Sequence, residues 1–315
     1  MLDEDNQGPK TRLNKLQATA FSVFVQNAMT IGDFTITPGL RVENYSQKKS
    51  GKVDSDDKFS TYETPILPGI SLLYDGFAQT QVYAGVHRGY APANARNADP
   101  LSANDAALSP ETGINSQIGV RSSAVKGLDL DVAVFHNMLE DTLIRSNILD
   151  DFGDQIFVNE AEALSYGVDI GAQFNTAAYT GSPYNWFARL AWNYTRAEFT
   201  DGPLDGNRLP DIPKHAGSLS LGVEHRKGWN VSATLSHFGD FFGNRQNTFE
   251  LGDGQGNVPS RTLLSARASY RFKGTPATVW IQGRNLTDKL YVVNVADGLR
   301  PGAERTVVGG VKLTF

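Results

Sequence analysis

From Arg305 to Phe315 the chain alternates apolar and polar side chains and closes on a phenylalanine. Val307, Gly309, Val311, Leu313 and Phe315 fall on one face of a strand, and Thr306, Gly310, Lys312 and Thr314 on the other, with Val308 the exception. Successive Cβ atoms of a strand point to opposite sides, so a period of two sorts residues by face. Hydrocarbon on one side and a wet lumen on the other require that pattern, and a terminal phenylalanine is how an outer-membrane barrel strand ends.

The alternation recurs upstream. Leu264, Ala266, Ala268, Tyr270 and Phe272 oppose Ser265, Arg267, Ser269 and Arg271. Trp186, Ala188, Leu190, Trp192 and Tyr194 oppose Arg189, Asn193 and Thr195, and Trp229, Val231, Ala233 and Leu235 oppose Asn230, Ser232, Thr234 and Ser236. The first set of each is assigned to lipid. A mean hydropathy of -0.32 agrees, because a transmembrane barrel hides its apolar residues at every second position. No stretch approaches the roughly 18 uninterrupted apolar residues of a spanning helix.

Reading for period-two segments gives about thirteen strands of roughly 9 to 15 residues, a length suited to tilted crossing of a bilayer. Short turns are expected at 31–33, 75–78, 122–126, 176–183, 226–228 and 273–276. Long polar connections are expected at 46–63, 91–110, 146–155, 201–213, 242–258 and 293–303. This asymmetry, short inside and long outside, belongs to outer-membrane barrels. A soluble β-propeller also repeats every 40 to 50 residues or so, but packs four short strands into that interval where this chain places two long ones. The expected fold class is therefore all-β, a membrane-spanning antiparallel up-and-down β-barrel.

An odd count does not close an up-and-down antiparallel barrel, and bare edges in lipid cost several kcal/mol per unsatisfied backbone group. The start, Met1 to Lys10, is acidic and polar and lacks both the positive region and the apolar core of a secretory signal. Both features lead us to expect further strands upstream. Residues 1–11 are read as the N-terminal segment of a truncated chain and 12–315 as the C-terminal part of the barrel. Such a fragment, with its edges bare, is not expected to fold alone.

Four stretches carry a resemblance to a known family: Phe21 to Gln26 followed by Phe34 to Arg41; Arg88 to Pro92 followed by Leu108 to Gly113; Asn159 to Val168; and Gly283 to Tyr291. Arg300 to Thr306, before the last strand, also fits. Together they resemble the C-terminal barrel of TonB-dependent outer-membrane receptors, which are 22-stranded and filled by an N-terminal plug. The resemblance implies uptake of a scarce ligand at the extracellular mouth, a ferric siderophore or ferric citrate above all, driven by TonB acting on the plug, which has no counterpart here. It also implies outer-membrane lipid as surroundings, the barrel-assembly machinery as a partner through Phe315, and localisation in the outer membrane of a Gram-negative bacterium. A passive porin or structural surface barrel is the alternative.

Eight charges fall on the expected lumen side: Arg41, Arg121, Asp129, Asp131, Asp169, Arg189, Arg267 and Arg271. They either shape a polar conduit or pair with one another or with the plug, since charges lining a narrow interior rarely stay alone. Folding back the turn at 122–126 is expected to set Arg121 beside Asp129 as an ion pair. Ligand capture is assigned to the long loops, where Arg96, Arg145, Arg245, Asn294 and Arg300 offer planar or amide donors to an anionic chelate. Tyr90, Phe241 and Phe242 are read as girdle residues or a ligand platform.

Other chemistries find little to build on. The formal charge of -5, from 29 Lys+Arg against 34 Asp+Glu, gives no field for nucleic acid. There is no cysteine, which removes disulfides, thiolate ligands and cysteine nucleophiles. The histidines His87, His136, His215, His225 and His237 sit in no nucleophile motif and show no zinc spacing, so neither catalysis nor a cofactor is expected. His136 and His237 occupy the apolar phase of their strands and read as interfacial. Asp54, Asp56 and Asp57 lack the glycine and distal glutamate of a calcium loop. The triplets at Asn193, Asn230 and Asn285 match the glycosylation pattern by chance and are placed inside strands.

Overall fold

The computed structural model describes residues 14–51, 58–92, 109–149, 155–251, 256–295 and 298–314. The acidic stretch at 54–57, Arg96 and the terminal Phe315 lie outside the described residues, as does the start of the chain.

Thirteen antiparallel strands follow one another across a single sheet in chain order. They are β1 (Asn14–Gln26), β2 (Phe34–Gly51), β3 (Ile66–Phe77), β4 (Thr80–Ala91), β5 (Glu111–Ser122), β6 (Leu128–Leu149), β7 (Gln155–Asn175), β8 (Tyr184–Phe199), β9 (His215–His225), β10 (Trp229–Phe238), β11 (Arg261–Arg271), β12 (Ala277–Arg284) and β13 (Thr306–Leu313). Met29–Ile31 and Lys58–Glu63 pair with β2 beside this path. Among the described residues β1 and β13 do not pair with each other, so the sheet is part of a barrel rather than a closed one.

All six short turns lie at or beside their expected places, but the one expected at 75–78 turns at 78–79, with 75–77 still in β3, and the one expected at 122–126 runs from 123 to 127. At one of them the reason is local: Gly228 has φ +101, a conformation glycine adopts without steric cost, and its N–H bonds back to His225 O at 2.8 Å. Two of the long connections are corrected. Most of 46–63 is sheet, with Tyr45 to Ser50 of β2 paired to Lys58–Glu63. Likewise β6 and β7 continue to Leu149 and from Gln155. At 22 and 21 residues they are about twice the 9–11 residues that cross a bilayer. Antiparallel pairing satisfies the backbone in water as well as in lipid, so polar composition alone did not end these strands.

Register fixes the faces. The row Leu264, Leu235, Leu219, Leu190 runs directly across β11, β10, β9 and β8, and Val311, Val279 and Tyr270 run across β13, β12 and β11. These rows share one face, on which Leu221, Ile281, Trp186 and Val307 are 54 to 62% exposed. Large apolar side chains standing clear of any protein core mark a surface solvated by hydrocarbon.

Aromatic rings border that face. Near the short turns, ring contacts join Phe34 to Tyr74 at 4.6 Å, Tyr184 to His225 at 4.6 Å, His225 to Trp229 at 5.3 Å and Tyr270 to Phe272 at 5.0 Å. Toward the long loops, Trp192 and Tyr194 pack on His215 at 5.6 and 5.2 Å. Tyr184 and Tyr194 lie ten residues apart on β8, roughly 33 Å of strand, which at a tilt of about 40° spans ~25 Å of membrane normal. That matches the height of a lipid-facing band. His136 and His237 share this face with Tyr166 and Trp192, as expected, and His237 Nδ1 meets Thr262 Oγ1 at 2.8 Å.

Buried apolar clusters sit at the opposite extreme, under the long loops. Ala161, Ala163 and Phe199 form one, with Leu139, Leu204 and Leu209 against it. Phe241, Val258 and Val295 form the other.

Candidate functional site: the polar face and the mouth

All eight charges assigned to the lumen share the face opposite Tyr270, Trp192 and Leu313, because the register is continuous from β2 to β13. Arg41 donates to Glu43 at 2.6 Å and reaches Ser22 Oγ at 3.4 Å. Asp169 accepts from Asn193 at 2.6 Å.

The partner of Arg121 is Asp131, not Asp129. Ser122 pairs with Leu130 and Arg121 with Asp131, and Arg121 Nη2 lies 2.9 Å from Asp131 Oδ2, with Nε at 3.1 Å. The connection takes all of Ser123 to Gly127, which shifts the register by two residues and keeps the face. Asp129 instead accepts from Ser123 Oγ at 2.6 Å.

One arrangement recurs three times on the polar face. Tyr83 lies directly across from Gly119, Phe187 from Gly222 and Trp280 from Gly310. Each ring folds flat onto the glycine, where a Cβ would collide with it. An arginine then covers each ring: Arg121 over Tyr83 at 5.6 Å, Arg189 over Phe187 at 4.7 Å and Arg267 over Trp280 at 4.6 Å. Stacking on a ring face is worth about 0.5–1 kcal/mol at an exposed site. The ring also gives the planar guanidinium a surface to stack on, which an ammonium would use less well. Sequence reasoning found the arginines but missed the stacks, because a ring and its glycine are 36, 35 and 30 residues apart and meet only once the register is known. Phe135 also lies over Gly167 without an arginine, and the Tyr194 carbonyl comes closer still to where a Cβ would stand; together they account for the glycine in the Asn159 to Val168 stretch.

At the loop end, Arg208 organises the connection between β8 and β9. Its Nη1 lies 3.1 Å from Asp240 Oδ2, Nη2 donates to Asp240 O at 3.0 Å, and the guanidinium lies 5.3 Å from the Phe242 ring. Asn247 clasps the Arg208 backbone on both sides, at 2.7 and 2.9 Å. Burial pushes the Asp240 carboxyl upward, but the Arg208 hydrogen bond and charge outweigh it and hold the group below its ordinary value. Asp211 has no such cation among the described residues, and burial raises it.

Of the proposed capture residues, Arg96 lies outside the described residues, and Arg145 is described only as backbone opposite Phe157 in the β6–β7 extension. Arg245 O accepts from Asn207 Nδ2 at 2.9 Å. Asn294 sits opposite Arg300 in a small hairpin and donates to Asp211 Oδ1 at 3.3 Å. Tyr90 donates to Glu63. Phe241 and Phe242 are neither girdle nor platform: both are buried, packed inside the loop. Asn285 lies one residue past β12, not inside it. Its buried amide donates to Lys289 O and Ala303 O at 2.9 and 3.0 Å, and Asp288 accepts from Arg305 N at 2.9 Å. Both residues have positive φ, which asparagine and aspartate tolerate best after glycine. The Gly283 to Tyr291 stretch is thus the knot that seats the last connection.

A lipid-facing apolar band, a polar face of charges and hydroxyls and packed loops at one end define the wall of an outer-membrane barrel. The family described as TonB dependent receptor-like, beta-barrel, matches residues 3–286, and the chain belongs to that family. It is 25% identical over 295 residues to the metal-pseudopaline receptor CntO of Pseudomonas aeruginosa, covering 88% of this chain and 38% of that protein. It is 23% identical over 266 residues to an iron-regulated outer membrane virulence protein of Vibrio cholerae, covering 78% and 39%. Among solved structures, the ferric citrate transporter FecA in its unliganded form superposes with a TM-score of 0.80 at 19% identity, covering 96% of this chain and 46% of that one. The copper transporter OprC gives 0.75 at 17% identity, covering 95% and 48%. The chain therefore spans less than half the length of these proteins.

Proposed function

We propose that this chain forms more than half of the barrel wall of an outer-membrane receptor that binds a metal chelate at its long-loop end and imports it with TonB-derived energy. The family match across residues 3–286 carries the reading. The names of the similar proteins, spanning ferric citrate, metal-pseudopaline and copper, support a chelated or bound metal as cargo, with a ferric chelate as the specific expectation. On this reading the polar face lines the lumen, the protein resides in the outer membrane of a Gram-negative bacterium, and it transports rather than catalyses. TonB would act through a plug domain preceding these strands, and the barrel-assembly machinery would engage the end at Phe315.

Capture falls to the loops over β8–β13, where Asn294 and Arg300 sit beside the scaffold of Arg208, Asp240 and Asp211. That scaffold is already hydrogen-bonded, so chelate binding needs little further ordering there. The test is a binding panel of ferric citrate, several siderophores and cobalamin against the full-length protein in detergent. Saturable binding of one member is expected, and absence of binding across the whole panel would contradict the proposal.

A further inference from the structure

We propose that the β12–β13 connection is a strap that locks the three mouth connections over β8–β13 into one body, with Val295 as its latch, so that the three open together or not at all. The inference rests on packing alone and stands whichever cargo the binding panel identifies.

The strap is tied at both ends. Asn285, 4% exposed, holds Lys289 O and Ala303 O through its amide, and Asp288 accepts from Arg305 N. Between these knots Tyr291 folds over Gly302, where a Cβ would collide with the ring, and the Gly302 N–H donates to Tyr291 O at 2.8 Å. What remains, Val292 to Val295, reaches sideways. The bases of the outer two connections, at β9 and β12, are three strand spacings apart, about 14 Å. Yet Asn294 Nδ2 donates to Asp211 Oδ1 at 3.3 Å, between residues 83 apart in the chain, so the two connections meet across β10 and β11.

On its way the strap is held by the β10–β11 connection. Val295 is fully buried against Phe241 and Val258. It enters a notch that exists because residue 243 is glycine, since a Cβ there would collide with Val295 Cγ2. Arg261 holds the strap's other flank, with Nη1 3.3 Å from Val292 O and its guanidinium 5.7 Å from the Tyr291 ring. The cluster is small, three buried residues with Val292 against it, so Val295 supplies a large share of its contacts.

Contiguity carries the coupling onward. Phe241 stands between Asp240 and Phe242, and those two are what the β8–β9 connection grips. Asp240 takes Arg208 on its carboxylate and its carbonyl, and Phe242 O accepts from Asp211 N at 2.9 Å. Emptying the notch frees Phe241 to move, and with it the backbone to which Arg208 and Asp211 are bonded, while Asn294 leaves Asp211 from the other side. Each connection is thus held by both of the others, and a closed set of this kind opens as one cooperative unit.

Hydrogen exchange of the full-length protein in detergent, read by mass spectrometry, tests the proposal first without any substitution. In rising urea, below the transition of the barrel, residues 200–214, 239–251 and 285–295 are expected to converge on one opening reaction with one urea dependence. Three separate urea dependences would overturn the proposal. Val295→Ala, which empties the notch, and Gly243→Ala, which fills it, are each expected to speed exchange in all three segments by about tenfold or more, as core truncation and overpacking do, with barrel heat-modifiability unchanged. Val295→Thr, of the same shape with a buried hydroxyl, should move the three together by a smaller factor. Leu299→Ala, on the strap but 54% exposed, should move none. Acceleration confined to 285–295, or absent from all three segments, would reduce Val295 to a local contact and defeat the latch.

Discussion

The stack at Tyr83 and the stack at Trp280 are built alike and finished differently. Both set a ring on a cross-strand glycine and a guanidinium on the ring. At Tyr83 the neighbouring strand supplies Asp131, so the arginine's fork is filled within the wall. At Trp280 the neighbours opposite Arg267 are Ser232 and Gln282, and among the described residues no carboxylate pairs with it. The same local device thus ends in an ion pair at one place and against neutral neighbours at the other.

The comparison presupposes that the stacks face water, and adjacent residues of β9 test this with the largest effect. Leu221→Arg, on the apolar face, is expected to cost about 2–4 kcal/mol of folding stability in a bilayer. Ser220→Arg, one position away on the polar face, is expected to cost little. Equal costs in lipid-vesicle unfolding would erase the distinction between faces.

Next in size are the glycines. Gly222→Ala is expected to displace the Phe187 ring and press on Val231 O, destabilising the barrel by about 1–3 kcal/mol as overpacking does. Gly171, on the same face but in β7, whose Cβ would meet nothing closer than ordinary contact, should accept alanine far better. Similar urea midpoints for the two variants would show that the rings do not need their glycines.

The mouth offers a contrast in sign. Asp240, held low by Arg208, contributes stability that is present above its unfolded value of 3.8 and lost as pH falls. Asp211, raised by burial, contributes in the other direction: its neutral form fits best, so its contribution is full in acid and lost as pH rises through its folded value. Asp211→Asn should therefore make the loop over β8–β9 slightly more protease-resistant at neutral pH, and Asp240→Asn less so. Identical digestion rates at pH 7 would refute the assignment. Smallest of all, Arg121→Ala should leave urea unfolding nearly unchanged, since its ion pair with Asp131 is solvent-exposed.

Much of this was legible in the sequence for one physical reason: a strand's period of two survives without knowledge of its neighbours. That is why the apolar and polar faces of β8, β10, β11 and β13 were readable, and why Arg121 and Asp131 were set on the same face. Register was not readable, because it depends on how many residues a turn consumes. Hence Asp129 was expected where Asp131 stands, and the pairs Phe187–Gly222 and Trp280–Gly310 stayed hidden. Loop packing was less legible still. Phe241 and Phe242 look like a platform until Val258 and Val295, far along the chain, cover Phe241.

The most direct test of the account is a cysteine scan of β12 (Ala277–Arg284) in the full-length protein, with any cysteine outside these 315 residues, which have none, replaced by serine. In lipid vesicles, cysteines at 278, 280 and 282 should react with a membrane-impermeant maleimide, while those at 277, 279 and 281 stay protected and are quenched by lipid-borne labels. Reactivity of inverted phase, or equal at all six positions, would contradict a wall with hydrocarbon on one side and water on the other.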